Sequence, residues 1–162
     1  NIEITEVADS ALQWIRKIVP AERIHTGSFP QCLPADSRYD VICLSSIDHV
    51  YKQEEFIGLL RDVKSRLVPG GVCLVISWAF DYSGEETGFF RKVARHMKCF
   101  MKKMLLPREN QPENGQFWGY KRDRREFIEA LNKAGFDEIT DGLMEKRTKW
   151  DTCWIKGVKK HA

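Results

Sequence analysis

The stretch SRLVPGGVCLVISW, Ser65 to Trp78, constrains the fold of this chain more than any other. A polar, helix-compatible run meets Pro69-Gly70-Gly71 and gives way at once to apolar residues. Proline cannot continue a helix and glycine is the usual residue just past its end, so a helix must stop here, predicted at Gly70. The run GVCLVISWAF that follows is apolar on both faces, the pattern of a central parallel strand covered by helices on each side. Upstream, QEEFIGLLRDVKSRLV repeats apolar residues at Phe56, Leu59, Leu60, Val63 and Leu67. That spacing predicts an amphipathic helix, and its early acids and late bases suit the helix dipole.

The same alternation extends along the chain. IEITEV (Ile2 to Val7) is a short β-branched strand, and Asp9 or Ser10 can cap a helix carrying Leu12, Ile15 and Val19. ERIHTGSF (Glu22 to Phe29) is a weak strand and YDVICLSS (Tyr39 to Ser46) a stronger one. From Phe89 to Leu106, apolar residues at helical spacing alternate with Arg91, Lys92, Arg95, Lys98, Lys102 and Lys103, a basic amphipathic helix. A polar loop with the aromatic cluster QFWGY leads to a helix from about Asp123 to Ala134, closed by Gly135. FDEITDGLMEKR and WDTCWIKGVKK then predict two antiparallel strands. Strands alternating with helices in this way predict a doubly wound α/β sheet. The expected organisation is one domain over 1–162, with a core at 1–88, a basic helix and aromatic loop at 89–122, and a closing helix with antiparallel strands at 123–162.

With 162 residues, 43% of them hydrophobic, the chain can bury a core of its own. A formal charge of +3 does not argue for nucleic acid. Cys32, Cys43, Cys73, Cys99 and Cys153 are scattered, without metal-ligand spacing, and read as reduced thiols, so no metal site is expected. No apolar run approaches the roughly 18 residues of a membrane span, which predicts a soluble, cytoplasmic protein. The chain opens at Asn1 and runs almost directly into a strand, which reads as a fragment of something longer.

Three signatures in order, YDVICLSSIDHVY, LVPGGVCLVI and FIEALNKAGFDEI, resemble the class I S-adenosylmethionine-dependent methyltransferases of small-molecule type. The resemblance runs from Ile2 onward. It implies a Rossmann-like, mostly parallel sheet with a C-terminal antiparallel pair and S-adenosylmethionine as cofactor. The family's glycine-rich loop after its first strand has no counterpart here, so the expected fold is N-terminally truncated, starting at the second strand. Two strands would then have backbone edges unpaired, each costly if buried.

The resemblance also places site residues. Glu6, ending the first strand here, falls where the family's acid accepts hydrogen bonds from the cofactor ribose, with Val7 beside it. Ser28 and Phe29 fall where the family reads adenine, with Ser in place of the usual Asp. Ser45, Ser46 and Ile47 fall where the chain passes the methionine part and the transferable methyl. His49 and Asp48 are the candidate bases; a hydrogen-bonded helix-entry histidine is the structural alternative for His49. Trp78 and Phe80 end a strand and so face the ligand side of such sheets, and Trp118 and Tyr120 would wall an acceptor pocket.

The expected activity is methyl transfer to a hydroxyl or amine of a small molecule, an anionic one if the basic helix at 89–106 attracts it. As a lid that helix covers the pocket; as a surface helix it touches anionic headgroups without insertion. No nucleic-acid partner is expected, because the Asn/Asp-Pro-Pro-aromatic motif is absent. The alternative is a non-catalytic or split methyltransferase-like domain that pairs with another chain across its exposed sheet edge. A nicotinamide-dependent oxidoreductase fits the closing strands less well.

Overall fold

The computed structural model describes residues 2–79, 120, 122–146 and 151–160. In chain order these form β1 (Ile4–Glu6), α1 (Asp9–Ile15), a 3-10 turn (Ala21–Arg23), β2 (Ile24–Thr26), β3 (Tyr39–Ser45), a second 3-10 turn (Asp48–Val50), α2 (Gln53–Arg66), β4 (Leu67–Ala79), α3 (Arg124–Lys133), β5 (Asp137–Glu145) and β6 (Asp151–Val158). The expected basic helix, Phe80 and Trp118 lie outside the described residues.

The α/β class is as expected, and the sheet is divided in two. β1 and β2 pair in parallel, Ile4 opposite Ile24, as a two-stranded unit. The other four strands run β3-β4-β6-β5, with β3 parallel to β4 and β6 antiparallel to both β4 and β5. Among the described residues β1, β2, β3 and β5 are edge strands, and β1 and β3 are the two that a missing first strand would leave unpaired. A side-chain bridge links the two units: the Tyr39 hydroxyl, at the start of β3, donates to Glu3 Oε2 at 2.8 Å, and His25 Nε2 of β2 lies 3.1 Å from the same oxygen.

The core lies between the four-stranded sheet and the helices α2 and α3. Phe56, Ile57, Leu60 and Val63 of α2 and Phe127, Ala130 and Leu131 of α3 are buried against Cys73, Val75, Cys153 and Ile155 of β4 and β6. The Phe56 and Phe127 rings meet edge to face with centroids 6.0 Å apart, a favoured aromatic geometry. The opposite face departs from the expectation of a strand covered on both sides. Along β4, buried residues alternate with partly exposed ones; Trp78 is 52% exposed and Val41 of β3 57%.

α2 ends at Arg66, four residues before the predicted stop, and Leu67 is already extended. The reason is Pro69: its ring would clash with the carbonyl four residues back, and it disfavours helical geometry at Val68. Gly70 instead supplies a left-handed turn, φ 79°, inside the strand, and its N–H donates to the Lys159 carbonyl beside β6. α3 matches its prediction. Asp123 caps it by accepting from the Glu126 N–H, and Gly135 follows with φ 83°.

Candidate functional site

The parallel pairing of β3 with β4 brings their carboxyl ends to one edge of the four-stranded sheet, and the pairing of β1 with β2 does the same in the two-stranded unit; open α/β sheets bind ligands beyond such ends. Glu6 closes β1 with its backbone carbonyl accepting from Gly27 N–H at the end of β2. Its side chain turns onto the next helix, where Oε1 accepts from the N–H groups of Val7 (2.7 Å) and Ala8 (2.9 Å). α1 begins at Asp9 after Ala8 with no side-chain cap, so neither Asp9 nor Ser10 caps it. Val7 is 63% exposed beside it.

The β3 end is the most constrained part of the site. Ser46 adopts φ 53°, unusual for a residue with a side chain, while its N–H donates to the Ile76 carbonyl of β4 at 2.8 Å. Such strain persists only where surroundings impose it, and it clusters at functional turns. Ser45 is exposed and Ile47 packs against the core. Asp48 is 1% exposed. Its Oδ1 accepts from the Ser77 hydroxyl at 2.5 Å, and the Arg122 guanidinium lies 3.9 Å from Oδ2. Burial pushes the Asp48 carboxyl above its ordinary value, opposed first by the Ser77 hydrogen bond and then by Arg122.

Arg122 is the other half of this network and is 2% exposed. Nη1 donates to the Asp48 carbonyl (2.5 Å), Nη2 to the Tyr51 carbonyl (2.6 Å) and Nε to Gln53 Oε1 (2.8 Å). The guanidinium also sits 4.5 Å from the centre of the Phe56 ring. Burial lowers its pKa, with Asp48 as the main opposing charge.

Two residues predicted from separate motifs meet here: Tyr120 N–H donates to the His49 carbonyl at 2.7 Å. His49 is half-buried and, unlike Asp48, has no side-chain hydrogen bond among the described residues. Ser28 and Phe29 line an open groove of about 580 Å³ with Val50 and Tyr51, which follow His49, and with Glu55, Gly58 and Leu59 of α2. That groove does not include Glu6, Ser45 or His49. Trp78 is exposed near the end of β4. Among the described residues no cluster of His, Cys, Asp or Glu could hold a metal ion, and no helix is long and apolar enough to cross a membrane.

No family model and no curated protein matches the sequence. Solved structures do. The S-adenosylmethionine-dependent methyltransferase SibL aligns over 98% of this chain and 44% of its own, with TM-score 0.60 and 18% identity. Human N-acetylserotonin methyltransferase, in complex with SAM, aligns over 99% and 41%, with TM-score 0.59 and 20% identity. PigF, with SAH, aligns over 98% and 43%, with TM-score 0.59 and 20% identity. The fold is that of a class I S-adenosylmethionine-dependent methyltransferase. The chain spans less than half the length of these methyltransferases.

Sequence reasoning did not single out Arg122, Gln53 or Ser77. Ser77 carried a signal, since one hydroxyl at a buried position of an apolar strand needs a partner. Arg122 carried none: in YKRDRREF it is one basic residue among several, and only the packing of α2 against α3 encloses it.

Proposed function

We propose that this chain forms part of an enzyme that moves the methyl group of S-adenosylmethionine to a hydroxyl or amine of a small molecule. The observation carrying this reading is the methyltransferase fold, with Glu6 ending β1 and the Ser45–His49 turn, strained at Ser46, following β3. In this reading Glu6 Oε2, which has no partner among the described residues, accepts from the cofactor ribose while Oε1 keeps its two backbone N–H groups. Val7 lies beside Glu6 at the ribose, Ser28 and Phe29 meet adenine, and Ser45, Ser46 and Ile47 pass the methionine part. The sulfonium already activates the methyl, so the protein's task is alignment: the acceptor's lone pair attacks the methyl carbon as the sulfur–carbon bond breaks, leaving S-adenosylhomocysteine. His49 takes the acceptor's proton. The buried carboxylate of Asp48 shapes the turn, and Trp78, Phe80, Trp118 and Tyr120 wall the acceptor. The basic residues of 89–106 favour an anionic acceptor.

Calorimetric titration with S-adenosylhomocysteine tests this, on the chain as given and on a version extended upstream. Binding should occur in at least one and weaken about ten- to a hundredfold in Glu6→Ala, the effect of losing hydrogen bonds to a charged acceptor. No binding at either length would sink the enzyme reading. A second reading is then favoured by the edges of β1 and β3: an interaction module that pairs with another chain by strand addition. Light scattering across a concentration series would reveal self-pairing as a rise in mass.

A further inference from the structure

We infer that Arg122 is a positioning residue for the site proposed above, clamping the turn that carries His49 and seating residue 120 against it. The inference rests on that reading for its chemistry, but its geometry stands alone. The turn from Ile47 to Tyr51 has little regular structure of its own: Val50 N–H donates to the Ile47 carbonyl and Tyr51 N–H to the Asp48 carbonyl. Among the described residues, Arg122 and Ser77 tie it down from outside. Arg122 reaches the carbonyls of both Asp48 and Tyr51, which bracket His49, and fastens Gln53 in the first turn of α2. From below, Asp48 is fixed by Ser77 of β4, and Cys153 of β6 donates to the Ser77 carbonyl at 3.6 Å.

Arginine suits this task for a specific reason. Its planar fork presents five donors in fixed directions, so one buried group can set the spacing of two carbonyls and an amide oxygen at once. A lysine could satisfy one or two and would leave the remainder orphaned. The same anchor has a second effect. Residues 120 and 122 stand at the chain's return from the segment 80–119, and the Tyr120 N–H bond to the His49 carbonyl lies next to the Arg122 clamp. Arg122 thereby couples Tyr120, one of the proposed acceptor contacts, to the turn that carries the proposed base.

Amide hydrogen exchange followed by NMR tests this in Arg122→Gln, Arg122→Lys and Gln53→Ala. Exchange at Val50, Tyr51 and Tyr120 should accelerate about tenfold or more in Arg122→Gln, as loss of charged hydrogen bonds requires. Arg122→Lys should recover part of that protection, and Gln53→Ala should show a smaller acceleration at the same amides. Val75 and Ile155, in the sheet centre, should keep wild-type rates. In parallel, S-adenosylhomocysteine binding should weaken in the order wild type, Lys, Gln. Unchanged exchange at the three turn amides would overturn the inference, as would equal acceleration at Val75 and Ile155, the mark of a residue that only holds the core together. If Arg122→Gln does not fold, Gln53→Ala decides by the same amides. A wild type that fails to bind S-adenosylhomocysteine at either length overturns the methyltransferase reading alone, because the exchange pattern still judges the clamp.

Discussion

Asp48 sits in the chain as one acid beside a histidine and reads from sequence as a candidate base. Its burial against Ser77 and Arg122 turns it into a group whose charge the fold opposes. Because its folded pKa lies above the unfolded value, its contribution to stability is complete below about 3.9, the ordinary aspartate value, and is lost as pH rises through the folded pKa. Urea midpoints measured from acid to neutral pH should therefore fall less for Asp48→Asn than for wild type. Parallel profiles would remove Asp48 from the account. The cysteines separate in the same way by environment. Cys73 and Cys153 are fully buried, and burial pushes both thiols up to about 12, so iodoacetamide should leave them unmodified in the folded protein. Cys43, exposed on β3, should react before either, which peptide mass spectrometry can read.

At the scale of elements, the closing strands show how closely backbone and side chain are fitted. A Cβ on Gly157 of β6 would lie 2.9 Å from the Phe136 Cβ, an atom fixed to the chain and unable to swing away. Gly157→Ala should therefore destabilise by about 1–3 kcal/mol in chemical denaturation, the range for overpacking a core. An unchanged midpoint would mean that Phe136 shifts freely. The helix α2 was legible because its apolar spacing is regular, and so was the Gly135 stop of α3, where the sequence names both the cap residue and the glycine. The end of α2 was misplaced by four residues because Pro69 acts backward along the chain, through the carbonyl it would strike, while Gly70 acts only at its own position.

The described residues contain two sheet units bridged by side chains. β1 and β2 are three residues each and cannot hold together as β3 to β6 can, where three ladders share β4 and β6. Exchange at β1 and β2 amides should accordingly proceed by a lower-energy opening than at Val75 or Ile155. Tyr39→Phe removes the hydroxyl that donates to Glu3 across the two units. It should speed exchange at Ile4 and Ile24 while leaving β4 and β6 unchanged; no change at β1 would show that the bridge does not join the units.

The sequence by itself determined the order and type of the elements, because periodicity, proline, glycine and capping residues act over a few neighbours. It also carried the order of motifs that resembles the methyltransferases. Tertiary structure alone decided which strands became edges, that Asp48 is enclosed while His49 is not, and that a distant arginine clamps the turn between them. Those outcomes depend on contacts such as Arg122 with Asp48 and Tyr51, separated by about seventy residues of chain. Burial of a charge is set by what packs around it, and no local spacing in the sequence records that.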